Sequence, residues 1–251
     1  MNINYFIGCI MQSIMKMLPE GLKHRLVVRF FSPDMEWSMR NLRLNGFRPR
    51  KVIDVGAYRG EWACICKSIF PETAIMMIEP QASENRFLKQ VCKKYADCYY
   101  VNALVGAEKK KVPFRIDGTC SQVLREETDN DIIPALEVPL VTLDNLIKGT
   151  IFERIQLLKL DVQGYELEVL KGAKSMLGFA EVIIMEVSII MSLIKGAPSF
   201  CDVISFMYEQ DFILHDVCSF MRRPSDYSLW QIDAIFVKNT SQLCAASKEW
   251  W

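Results

Sequence analysis

Lys51-Val52-Ile53-Asp54-Val55-Gly56-Ala57-Tyr58-Arg59-Gly60 is a short apolar run that closes on a glycine turn and passes into the helical pattern of residues 61–70. Such a unit reads as a buried strand, a tight turn and a helix. The pattern then repeats. Residues 74–78 form a second apolar run ending at Glu79-Pro80, residues 83–95 a helix with one polar face, and residues 98–101 a third run. Residues 155–160 and 182–185 give a fourth and fifth strand with a helix over 165–177 between them. Ile213-Leu214 and residues 234–237 are candidates for a sixth and seventh. Strands that are almost wholly apolar and alternate with helices predict a parallel α/β sheet covered on both faces.

Upstream, Ser32-Pro33-Asp34 reads as a helix start, with serine as cap and proline in the first turn. The helix over 35–44 then stops at Asn45-Gly46. The segment 104–154 precedes the fourth strand. It holds two strand-like stretches, at 112–116 and 138–141, around a polar, acidic stretch at 121–131. This divides the chain into an N-terminal helical extension (1–45), a main domain (46–240) carrying a substrate-selecting insertion (104–154), and a tail (241–251).

In sheets of this kind ligands bind beyond the carboxyl ends of the strands. The first strand ends in Asp54, Gly56, Ala57, Tyr58 and Gly60, where glycine lets a ligand approach the backbone. The second ends in Glu79 and Pro80, where a carboxylate can accept from ribose hydroxyls. The third ends in Asn102 and Ala103, with an amide at hand for a base edge or a plain turn. Together these describe a nucleoside site. The G-x-x-x-G spacing is not the G-x-G-x-x-G of a dinucleotide fold. An acidic Asp54 suits the ammonium of S-adenosyl-L-methionine (SAM) better than a pyrophosphate. A nicotinamide-dependent oxidoreductase is therefore disfavoured.

The fourth strand carries Lys159-Leu160-Asp161-Val162-Gln163-Gly164-Tyr165-Glu166. Lys159 and Asp161 share one face of the strand, and charges there are costly unless paired. Glu166 opens the next helix, where the dipole favours an acid.

These segments, with Asn102-Ala103-Leu104, Val141-Thr142-Leu143-Asp144, Leu170-Lys171-Gly172-Ala173, Glu186 and Asp233, resemble the FkbM family of methyltransferases over residues 46–238. Tyr58 departs from the family's usual asparagine, and Gln163 from its usual glutamate. The resemblance implies a Rossmann-like class I methyltransferase with a seven-stranded, mostly parallel sheet and an antiparallel last strand. It also implies SAM-dependent O-methylation of a hydroxyl on a sugar, glycan or secondary metabolite. On that strand order His215 ends the sixth strand and Asp233 begins the seventh, both at the cofactor edge. The loop between them, with Arg222, Arg223, Tyr227 and Trp230, is placed to cover the site. Asp161 is the first candidate for the base that accepts the hydroxyl proton, with Glu166, Glu186 and His215 in reserve. Intact Asp54, Gly56, Glu79 and Asp161 argue against a non-catalytic binding module.

Composition narrows the partners. The 30 basic and 30 acidic residues balance to zero net charge, which argues against a nucleic-acid protein. Nine cysteines without a C-x-x-C pair, and two histidines, point away from a disulfide framework or a metal centre and toward a reducing, cytoplasmic setting. Residues 1–18 place Ile3, Ile7, Ile10, Met11, Ile14 and Leu18 at helical spacing without a basic start or cleavage site. They read as an amphipathic helix, packed on the domain or lying on a membrane surface.

Overall fold

The computed structural model describes residues 34–124, 135–190 and 196–245. The expected helix at 1–18, the cap at Ser32 and part of the acidic stretch at 121–131 lie outside them. Helix α1 (Met35–Leu44) starts on Asp34, whose carboxylate accepts from the Trp37 N–H. Asp34, not Ser32, is thus the cap. The first unit is β1 (Lys51–Val55) and α2 (Glu61–Ile69), followed by β2 (Ala74–Ile78), a 3-10 turn at Ala82–Glu84, α3 (Asn85–Lys94) and β3 (Cys98–Val101). The insertion supplies β4 (Leu104–Val105), β5 (Lys110–Arg115), β6 (Gln122–Val123) and β7 (Leu136–Val141), then α4 (Leu143–Ile147) leads on. The chain returns through β8 (Leu157–Leu160), α5 (Glu166–Lys171), α6 (Lys174–Leu177), β9 (Val182–Ser188), α7 (Phe200–Glu209), β10 (Phe212–Arg222) and β11 (Leu229–Lys238).

The main sheet has the order β10-β11-β9-β8-β1-β2-β3, and β11 runs antiparallel to both neighbours while the other pairings in it are parallel. The order reverses next to β1, which opens a crevice at the carboxyl ends of β1 and β8. Each face has its own core. On one, Ile53, Val55, Leu158, Leu160, Met185 and Phe236 pack under α5, α6 and α7. On the other, Val52, Leu157, Ile184 and Ile235 pack under α1 and α2 through Met39, Leu42, Trp62, Ala63 and Cys66. The alternation of side chains along each strand sorts residues between these faces.

The helix expected over 165–177 is two helices. They part at Gly172, where an added Cβ would stand 2.0 Å from the Gly106 carbonyl oxygen. The insertion's backbone and the break in the helix therefore fit each other. The insertion itself is a small second sheet, β4-β7-β5-β6, in which β5 pairs antiparallel with both β6 and β7. Its Val112, Phe114, Val123 and Leu140 join the first core, so it is seated on the domain.

The larger correction concerns the far edge. The sixth strand extends from Phe212 to Arg222, and with β11 it forms a long hairpin. His215 does not end it. It sits in a register shift between Leu214 and Asp216 and is exposed. Asp233 lies inside β11 rather than at its start. Arg222 and Trp230 belong to the paired strands, and only residues 223–228 form the connection, so the expected covering loop is a hairpin tip. Eight cysteines among the described residues are free. Among the described residues, no helix is long and apolar enough to cross a membrane.

Candidate active site

Sheet register aligns the polar residues in two rows. Asp54 on β1 is opposite Lys159 on β8, which in turn is opposite Ile184. One step nearer the carboxyl edge come Gly56, Asp161, Glu186, Asp233 and Ser219. Glu186 pairs with Asp233, and Asp233 with Ser219. Neighbouring residues in register share a sheet face. Hence a line of acids crosses the strand ends on the side of the second core.

A cavity opens at this edge. Gly56, Tyr58, Glu79, Pro80 and Ala103, all expected at the cofactor, line it together with Asp161, Gln163 and Tyr165. The insertion closes the other side with Phe114, Gly118, Thr119, Ser121, Gln122 and Val123. The sequence marks these last residues only as part of the insertion 104–154, with Phe114 in its first strand-like stretch.

Gly56 has φ +77°, and an added Cβ would lie 1.9 Å from the Asp161 carbonyl oxygen. This glycine is required by the neighbouring strand end as well as by any ligand. Tyr58 is also left-handed, with φ +45°, a conformation that asparagine tolerates better than most residues. Its N–H donates to Glu79 at 2.8 Å, and Gln81 N–H donates to the other Glu79 oxygen at 2.9 Å. Glu79 is thereby fixed at the cavity wall. Its burial pushes the carboxyl above its usual range, and the two backbone donors oppose that rise.

Other expected residues stand off the cavity. Gly60 caps α2 and faces Met77 and Val91. Ala57 is buried in the second core. Asn102 donates to the Glu79 carbonyl oxygen at 2.9 Å and exchanges hydrogen bonds with the Asn85 amide at 2.7 Å and 2.8 Å, so its side chain ties the ends of β2 and β3 together. Asp54 is fully buried beneath the turn, not on the cavity surface. Neither of its carboxylate oxygens makes a hydrogen bond with the described residues, and the Lys159 ammonium is 3.7 Å away. Burial raises the Asp54 pKa to about 6, although Lys159 opposes the rise.

Asp161 is the member of the line that opens to the cavity, with 39% of its side chain exposed. Lys159 donates to its Oδ2 at 3.0 Å, and the Gln163 amide donates to its Oδ1 at 3.1 Å. Burial alone would lower the Lys159 pKa, but the flanking carboxylates of Asp161 and Asp54 hold it above its usual value. Glu166 accepts from the N–H groups of Val162 and Gly164, both at 3.1 Å, and is 2% exposed. It shapes the loop that carries Gln163, and burial lifts its pKa to about 7. Glu186 is pushed to about 9 by burial and by the charges of Asp161, Glu166 and Asp233, so it holds a proton at neutral pH. Burial raises Asp233 as well, while a hydrogen bond from the Ser219 hydroxyl opposes the rise. Ser219 and Gln163 were not among the site residues expected from sequence.

Residues 54–214 match the Methyltransferase FkbM domain. The chain belongs to the FkbM methyltransferase family. Its cofactor is S-adenosyl-L-methionine, and the residues at the strand ends fit that group. Asp54 and Asp161 flank Lys159, Glu186 and Asp233 continue the line of acids, and no cation of the cavity lining is placed to cradle a phosphate. A cofactor bearing a sulfonium suits this field; a pyrophosphate does not. Among solved structures, the N-methyltransferase NodS from Bradyrhizobium japonicum in complex with S-adenosyl-L-homocysteine aligns at 9% identity, over 81% of this chain and 85% of that one, with a TM-score of 0.47. The N-terminal domain of EvdMO1 with SAH bound aligns at 9% identity over 82% and 81%, with a TM-score of 0.48. Precorrin-6y C5,15-methyltransferase from Geobacter metallireducens GS-15 aligns at 11% identity over 80% and 86%, with a TM-score of 0.43. No curated protein matches the chain.

Proposed function

We propose that this FkbM-family methyltransferase methylates a hydroxyl of a sugar, glycan or secondary metabolite, with Asp161 as the base. The observation that carries the reading is the exposure of Asp161 at the cavity, between two donors that fix its orientation. When bound, SAM supplies a methyl group on a positively charged sulfur. Glu79, held by two backbone N–H groups, would accept from the ribose hydroxyls. Gly56, Tyr58, Pro80 and Ala103 would form the walls around the nucleoside. Asp54 would act through space, as a buried charge under the turn.

A hydroxyl oxygen attacks carbon far better once its proton has an acceptor. Asp161 keeps a lone pair on each oxygen beyond those used by Lys159 and Gln163. The reserves are less suited. Glu166 is buried against its own loop, Glu186 is protonated at neutral pH, and His215 is exposed part-way down β10. Aligning the acceptor with the methyl group remains the larger contribution. Phe114, Thr119, Ser121 and Gln122 from the insertion would select the acceptor, since they form the cavity wall that is not part of the parallel sheet.

The test is methyl transfer from labelled SAM to a panel of mono-, oligo- and polysaccharide hydroxyls and hydroxylated small molecules. With an acceptor in hand, Asp161→Asn should lower kcat by about 100-fold or more, the range of a lost general base, while leaving S-adenosylhomocysteine binding in place. Unchanged turnover in Asp161→Asn, with loss in Glu166→Gln, overturns the assignment. Transfer to none of the panel by a protein that binds S-adenosylhomocysteine counts against the acceptor class.

A further inference from the structure

Asp161, just past the end of β8, and Glu186 in the adjacent β9 share a face of the sheet, one residue beyond the pair Leu160 and Met185. Two carboxylates in such a position repel one another, and proteins commonly resolve the conflict with a shared proton or a bridging cation. Here the amide nitrogen of Gln163 lies between them, 3.1 Å from Asp161 Oδ1 and 3.4 Å from Glu186 Oε2. Its two N–H groups give it one donor for each acid.

The backbone is arranged for this contact at some cost. Gln163 has φ +53° and Gly164 φ +85°. The left-handed region is unfavourable for a residue with a β-carbon, and glycine would serve better at 163. Glu166 holds the turn by accepting from the N–H groups on either side of Gln163. A residue kept in a strained conformation by a buried carboxylate, with its side chain folded back over the reactive acid, points to a role for that side chain.

We propose that Gln163 is a positioning residue that occupies the place of a bridging divalent cation, joining Asp161 to Glu186 and fixing Asp161 toward the cavity. The inference rests on the reading of Asp161 as the base. A neutral amide satisfies both carboxyl groups without adding charge, so Glu186 keeps its proton and Asp161 keeps its orientation. Lys159 holds the opposite oxygen, so the Asp161 carboxylate is gripped from both sides.

The test uses the full chain with Mn²⁺ and S-adenosylhomocysteine as probes, on the wild type and on Gln163→Glu and Gln163→Gly. The wild type should show no saturable Mn²⁺ binding by electron paramagnetic resonance. Gln163→Glu places a third carboxylate beside Asp161 and Glu186 and should gain such binding, which a further Glu186→Gln change removes. Gln163→Gly should melt no lower than the wild type, because glycine accepts the left-handed backbone, yet its Glu186 carboxyl resonance should titrate at higher pH once the amide donor is gone. Asp161-dependent Mn²⁺ binding by the wild type overturns the proposal. So does a folded Gln163→Glu variant that stays free of metal, or a Gln163→Gly variant with an unmoved Glu186 titration. Failure of the wild type to bind S-adenosylhomocysteine would instead sink the cofactor assignment, while the metal and titration results would still judge Gln163.

Discussion

The Lys159 ammonium lies 3.0 Å from Asp161 and 3.7 Å from Asp54, so a single buried cation is shared unequally between an acid at the cavity and an acid beneath it. Asp161 has the hydrogen bond, and Asp54 has only the longer-range attraction. Removing either end of this arrangement should have opposite effects on the fold.

Lys159→Met leaves two carboxylates without their counter-charge in a buried setting. Breaking a buried pair from one side costs about 3–5 kcal/mol, and a loss of that size should appear as a large drop in the denaturation midpoint. Asp54→Asn removes a buried charge with no hydrogen bond of its own. It should leave the midpoint unchanged or raise it, while weakening S-adenosylmethionine binding measured by calorimetry. Comparable destabilisation by both substitutions would contradict the unequal sharing.

The raised carboxyls set the pH dependence of the unliganded protein. Glu166 at about 7 and Glu186 at about 9 bind protons more tightly in the fold than at their ordinary value of 4.5. Asp54, at about 6 against 3.8, behaves alike. Across this range the native state holds more protons than the unfolded chain, so stability falls as pH rises. The melting temperature should decline from about pH 4 toward about pH 9. Glu186→Gln should flatten the upper part of the decline. A melting temperature that climbs over the same range would show that these carboxyls are not buried as described.

Two glycines should tolerate no side chain. An alanine Cβ at Gly56 meets the Asp161 carbonyl, and one at Gly172 meets the Gly106 carbonyl, each at 2.0 Å or less. The obstacle in both cases is backbone, which cannot step aside as a side chain would. Gly56→Ala should destabilise the protein and weaken cofactor binding together. Gly172→Ala should separate the insertion from α5, seen as faster amide exchange in β4 and β7. Wild-type exchange in those strands would mean that the insertion is held by its apolar side chains alone.

Much of the main sheet was legible because its central strands are buried and so read as unbroken apolar runs. Residues 51–55 and 74–78 are strands at the expected positions, and the edge strand 98–101 is too, its run being aromatic and β-branched. The far edge was not legible for the complementary reason. In β10 one side is open to solvent, so polar His215, Asp216 and Ser219 interrupt the run, and only Ile213-Leu214 looked like strand. The misplacement of His215 followed from that shortened strand. Helix 165–177 read as continuous because local pattern carries no record of the Gly106 backbone against Gly172. At the site, strand ends pointed to Glu79 and Asp161, but register decides which acids are neighbours. The pairing of Glu186 with Asp233, and of Asp233 with Ser219, depends on strands far apart in sequence. The two departures from the family pattern, Tyr58 and Gln163, are both left-handed residues in the structure.

The strand β10 forms an outer border of the main sheet, and its register shifts at three places along eleven residues. A border strand of that length, with Ile213, Leu214, Phe220 and Met221 exposed, would otherwise offer a second molecule a ready ladder of main-chain donors and acceptors. The bulges interrupt the even spacing that such a ladder needs. The irregularity that hid the strand from its own sequence thus also makes that border a poor template for edge-to-edge pairing.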